Sequence, residues 1–177
     1  RGLGDVYKRQ VFYLALMPWQ RWPGTDRPSA AFGGLLGFTQ AAFCYLYLLP
    51  WIGEFVGAMP YVALSIFLAL YGIAIGVFGV IVARWRFGFL AFALIYLAVE
   101  FCRSSFPFGG FSWVRLAWGQ INGPLAALAP WGGPALISIA VALAGAGLTV
   151  AILQRGTQRW AGLVAAVLPL GLGTVAQ

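Results

Sequence analysis

Charge is what this sequence has least of. Only 8% of its residues are charged and 62% are apolar, where soluble globular chains carry about 25% and roughly 45–50%. So few charges cannot cover a water-facing surface, and the solvent for most of this one must be lipid. Histidine is missing altogether, which removes the commonest general base and a frequent metal ligand. The two cysteines, Cys44 and Cys102, make neither a disulfide framework nor a metal-binding spacing; free thiols on lipid-buried helices account for them. Four acidic residues face eleven basic ones, for a net charge of +7. That excess does not indicate nucleic acid, whose binders cluster Lys and Arg on a water-facing surface. Here the arginines stand singly or in pairs at the ends of apolar runs, as membrane proteins place them. A Ser–His pair, a metal cluster and a phosphate-binding glycine loop are all absent from the sequence, so it implies no catalytic residue, no metal and no cofactor.

What is present is a succession of apolar runs, which predicts an all-α membrane protein, a polytopic transmembrane helix bundle. Residues 1–10 differ from the rest: they hold Arg1, Asp5, Arg9 and the only lysine, Lys8. They are read as a non-native segment outside the fold, leaving 11–177 as a partial transmembrane domain. Residues 11–19 are apolar but too short to cross, since a spanning helix needs about 20 residues; they are expected to be the tail of a truncated helix, followed by a polar turn at 20–28. Spans are expected at about 29–49, 60–83, 87–101, 130–153 and 160–177, with 50–59 a short loop. Gly33 and Gly37, and again Gly72 and Gly76, have the small-xxx-small spacing that lets helices approach closely. Residues 104–123 fit neither helical nor strand periodicity. Their mixture of glycine, proline, aromatic and polar residues predicts an interfacial or re-entrant loop. Arg21 and Arg27, then Arg84 and Arg86, then Arg155 and Arg159 recur in alternate loops, which the positive-inside rule places in the cytoplasm. The C-terminus is then expected outside.

Several residues of the outer side are candidates for function. Glu100 and Arg103 share a helix face, three residues apart. They can pair with each other near the end of a span, or face a substrate. Arg115 lies on the outer side against the charge bias, with Trp113 and Trp118 nearby, which suits either an interfacial anchor or a lipid phosphate. Gln120 and Asn122 lead with Gly123 and Pro124 into the next helix as a tight turn.

The stretch Glu100-Phe101-Cys102-Arg103, then Phe111-Ser112-Trp113, Gln120-Ile121-Asn122-Gly123-Pro124-Leu125 and Leu128-Ala129-Pro130 resembles the bacterial apolipoprotein N-acyltransferases. In that family a Glu-Phe-x-Arg helix end leads through a Phe-Pro-Trp-like element to a Gln-x-Asp/Asn-Gly-Pro turn and then Leu-Ala-Pro. Ser112 stands where the family often has proline. Pro28-Ser29-Ala30-Ala31-Phe32-Gly33-Gly34 is similar to its small-residue-rich helix. The specific part of the resemblance is about residues 100–130; elsewhere it rests on hydropathy.

The resemblance implies an integral enzyme of the bacterial cytoplasmic membrane that moves an acyl chain from a phospholipid to the amino group of a diacylglyceryl-cysteine lipoprotein. Its partners would be the phospholipid donor, the lipoprotein acceptor and the membrane, with no nucleic acid. The family's chemistry resides in a nitrilase-like domain with a Glu-Lys-Cys triad, whose cysteine forms a thioester. No residue of this sequence matches that triad. The chain is therefore expected to be a fragment, inactive alone, whose catalytic part follows Gln177. Glu100, Arg103, Trp113, Arg115, Gln120 and Asn122 are the candidate lipid-contacting residues. Two alternatives are a related membrane module partnering a polyprenol-phosphate mannosyltransferase, and a small transporter. Transporters place ionisable sites near the midplane, whereas the charges here sit at helix ends.

Overall fold

A computed structural model describes residues 28–175. The expectations for 1–10, for the helix tail at 11–19 and for the turn up to residue 27 fall outside that range. Within it every regular element is a helix, and there is no strand. Helix α1 spans Ala30–Leu48 and starts at Ser29, whose Oγ accepts from the Phe32 amide at 3.1 Å in an ordinary N-cap. Helix α2, Pro50–Val56, occupies the stretch expected to be a loop. Pro50 at its first turn supplies the helical φ without needing a donor, and Gly57 ends it at φ 91. A seven-residue helix is too short to show a period, so the proline read as a break where it is a start.

Helix α3 (Ala58–Val82) and helix α4 (Gly88–Ser105) are joined by a turn carrying Arg84 and Arg86. Two 3₁₀ turns, Leu116–Gln120 and Pro124–Leu128, precede helix α5, Ala129–Leu153. Helix α5 is interrupted near its start, where Gly132 and Gly133 leave helical geometry just before Pro134; the ring of Pro134 cannot continue a helical ladder through that point. Helix α6 is Thr157–Val175. Among the described residues, four segments are long and apolar enough to cross a membrane: Ala30–Leu48, Ala58–Val82, Gly88–Ser105 and Pro124–Leu153. Helix α6 is long enough but opens on Thr157, Gln158 and Arg159 and is not among them. The molecule is a polytopic membrane helix bundle, and its surface shows large apolar side chains such as Phe43, Phe55, Met59 and Leu94.

In lipid the apolar surface of a helix gains nothing by leaving water, so close van der Waals contact must hold helices together. Glycines provide it here. Gly33 and Gly37 of α1 meet Gly76 and Gly72 of α3 so closely that a Cβ on any of the four would collide with the facing carbonyl. Gly147 of α5 and Gly162 of α6 repeat the arrangement. The two buried clusters lie beside these seams. One joins α4, the 3₁₀ turns and α5 through Tyr96, Leu116, Leu125 and Val141. The other joins α3, α4, α5 and α6 through Val80, Phe92, Val150 and Ala165.

The bundle has two unlike ends. At one, the turn after α3 meets the turn before α6, where Gln158 Nε2 donates to the Arg86 carbonyl at 3.4 Å. This groups Arg84, Arg86, Arg155 and Arg159. At the other end lie α2, the loop after α4 and the 3₁₀ turns.

Candidate functional site

Glu100 and Arg103 project from the last two turns of α4, which runs to Ser105, one turn beyond the expected end at 101. Both are buried, at 6% and 3% exposure, so they do not snorkel to water. Nor do they pair with each other. Arg103 Nη1 donates to the Phe111 and Trp113 carbonyls, both at 3.0 Å, and Nη2 to the Val114 carbonyl at 3.2 Å. Glu100 Oε1 accepts from the Leu116 amide at 2.7 Å. Each buried charge is thus met by backbone dipoles of one loop, and hydrogen bonds to charged groups contribute about 1.5–3 kcal/mol each. The Phe111 amide returns a bond to the Arg103 carbonyl at 2.9 Å. Tyr71 of α3 donates to the Phe106 carbonyl at 2.6 Å, fastening the start of the loop. The Arg103 guanidinium also lies 5.6 Å from the centre of the Tyr45 ring on α1, a cation–π contact.

The loop these residues hold is sharply folded. Phe106–Pro107 is cis, and Phe108, Gly109, Gly110 and Val114 all have positive φ. Trp113 is exposed, stacked on Trp118 at 6.5 Å and edge-on to Trp51 of α2 at 6.0 Å. Arg115 is half-buried; its carbonyl accepts from the Trp118 amide at 3.0 Å, but its side chain makes no hydrogen bond or ion pair with a described residue, and its Nε is buried without a partner among them. Gln120 is buried, its Oε1 packed against Gly123. Asn122 is exposed in the turn that the Gly123 amide closes on the Gln120 carbonyl at 2.8 Å.

Between α1, α3, α4 and this loop lies a cavity of about 1060 Å³. Glu100, Arg103, Trp113 and Arg115 border it. Gln120 and Asn122 do not: the first lies under the turn and the second faces outward. Six aromatic residues not singled out from the sequence, Phe43, Tyr45, Tyr47, Trp51, Tyr71 and Tyr96, also border the cavity. The density of aromatics over residues 43–51 is a signal for the first four; nothing local marks Tyr71 or Tyr96. Cys44 borders the cavity half-exposed, and Cys102 is exposed on α4. Among the described residues neither has a hydrogen-bonded base, and no group of three His, Cys, Asp or Glu could hold a metal ion. A largely apolar space bordered by charged and aromatic residues can accommodate an amphiphile, the tail among the apolar walls and the polar group beside the charges.

Comparison with known proteins decides the family. A family model described as the apolipoprotein N-acyltransferase N-terminal domain matches residues 10–147. The chain belongs to the apolipoprotein N-acyltransferase family. It is 43% identical over 143 residues to an apolipoprotein N-acyltransferase of Mycolicibacterium smegmatis, covering 80% of this chain and 23% of that protein. A relative of the same name from Photobacterium profundum is 29% identical over 175 residues, 90% of this chain and 32% of the relative. One from Azotobacter vinelandii is 49% identical over 57 residues, 32% of this chain and 11% of the relative. The chain therefore spans less than a third of the length of each of these apolipoprotein N-acyltransferases. The matches support neither the mannosyltransferase-partner reading nor the transporter.

Proposed function

We propose that this chain is the lipid-side membrane region of an enzyme of the bacterial cytoplasmic membrane that transfers an acyl chain from a phospholipid to the N-terminal amine of a diacylglyceryl-cysteine lipoprotein. Family membership supports the reaction class. The observation that carries the role is the cavity of about 1060 Å³ at one end of the bundle, largely apolar and bordered by Trp113 and by Arg115, whose side chain has no partner among the described residues. Acyl chains enter apolar space at little cost. A phosphodiester at the mouth would give the Arg115 guanidinium the acceptors it lacks. Trp113, amphipathic and exposed, suits the level of the headgroups. Gln120 supports the turn next to the cavity, and Asn122 lies exposed on that turn, away from the cavity. We place the cavity end on the extracytoplasmic side and the arginine-rich end in the cytoplasm. Acyl transfer itself belongs to a part of the protein outside this chain, and the chain alone is inactive.

The test uses the full-length protein with phospholipid vesicles and a diacylglyceryl-cysteine peptide, following the loss of the free amine by mass spectrometry. N-acylated peptide is expected, and a persistently free amine would sink the reading. Arg115→Ala should raise the apparent KM for phospholipid by about tenfold, the loss of roughly one charge-assisted hydrogen bond. An unchanged KM would remove Arg115 from the site.

A further inference from the structure

Glu100 and Arg103 border the cavity, yet the hydrogen bonds they form all go to the loop. Those bonds are not spread evenly. Three carbonyls, of Phe111, Trp113 and Val114, converge on Arg103, and the Leu116 amide meets Glu100. The four contacts bracket Val114, which stands at φ 63. A β-branched residue is strongly disfavoured in that left-handed region, and such a conformation persists only where its surroundings impose it. Its two chain neighbours are Trp113 and Arg115, the side chains at the rim of the cavity.

We propose that Glu100 and Arg103 are positioning residues, which hold the strained turn at Val114 so that Trp113 and Arg115 face the cavity, and that Arg115 alone supplies the positive charge for a lipid phosphate. The proposal rests on the lipid site argued above. The bidentate reach of Arg103 across 111–114 is what a planar guanidinium fork does well and a single acceptor or donor cannot. Glu100 acts here as a hydrogen-bond acceptor for one amide; its charge offsets that of Arg103, leaving Arg115 as the cation of the cavity whose side chain meets no partner among the described residues. Had either residue been the main ligand contact, its polar atoms would be directed to the cavity and the loop backbone would need another partner.

The test is hydrogen–deuterium exchange of the full-length protein in bilayers of phosphatidylglycerol and phosphatidylcholine, read on peptides covering 106–118. Glu100→Ala and Arg103→Gln should each speed exchange there by about tenfold or more, while α4 and α5 keep wild-type rates. Glu100→Gln should recover most of the protection, because a carboxamide oxygen still accepts from the Leu116 amide. Adding Val114→Gly to Arg103→Gln should slow exchange again, since glycine adopts the turn without being forced. In the acyl-transfer assay, Glu100→Ala and Arg103→Gln should raise the KM for phospholipid several-fold with kcat little changed, and Glu100→Gln should regain most of that loss. The proposal is overturned if Glu100→Gln behaves like Glu100→Ala, which would make the carboxylate charge a direct ligand contact. It is equally overturned if exchange rises uniformly through the helices, or if Val114→Gly restores nothing. Exchange needs no turnover, so it stands or falls separately from the acyl-transfer reading.

Discussion

Gly110 shows how little freedom a single position has in the loop that follows α4. It sits at φ 75, and a Cβ there would strike the backbone of Ser104 and Ser105. Gly110→Ala therefore combines a left-handed backbone cost with a steric clash, and should lower stability by about 1–3 kcal/mol. Thermal unfolding of the full-length protein in detergent would read this, and a variant as stable as wild type would contradict the turn described. Glu100 and Arg103 make the complementary point. Their spacing on one helix face is plain in the sequence, which offers pairing or substrate contact as the two roles. Their actual partners lie 8 to 16 residues along the chain, on a loop whose path depends on a cis bond and four positive φ angles. Nothing local announces that meeting, so the spacing of the two residues is legible in the sequence and their bonds are not.

At the level of helices, the glycine seams were visible because the spacing of four is a direct mark of one helix face. The sequence does not say which glycine faces which. The structure sets Gly33 and Gly37 against Gly76 and Gly72. Gly37→Leu or Gly76→Val should force α1 and α3 apart. Disulfide trapping of cysteine pairs placed along the seam would lose most of its yield in these variants, and undiminished cross-linking would show that the contact does not exist. Helix α2 and the last turn of α4 were illegible for different reasons. Helix α2 is too short to show a period. The final turn of α4 is sheltered by a loop that folds back over it, so its charges need no water and the helix need not stop where the apolar run does.

Over the whole molecule, the asymmetry of charge is the feature that composition predicts and the fold completes. Arg84, Arg86, Arg155 and Arg159 come from separate turns and are gathered at one end, joined by the Gln158–Arg86 bond. If that end is cytoplasmic, α6 runs outward. A compartment-sensitive reporter fused after Gln177 should be active only outside the cytoplasm, and a cysteine introduced at Arg86 should be labelled only once the membrane is opened. Cytoplasmic reporter activity would invert the orientation. Of the five expected spans, four correspond to helices long and apolar enough to cross a membrane, and these could be argued from hydropathy alone. The cavity could not, because its walls are drawn from α1, α2, α3, α4 and the loop after α4, which only tertiary packing brings together.

The seam between α1 and α3 has a mechanical consequence for that cavity. Most helix pairs are separated by side chains that can change rotamer and let the axes drift together or apart. Here carbonyl meets Cα with nothing compressible between them. Helix α1 thus rests against a hard stop: bilayer pressure can press it onto α3 but cannot move it further. Since α1 is also a wall of the cavity, any sideways travel available to that wall runs in one direction only, away from α3.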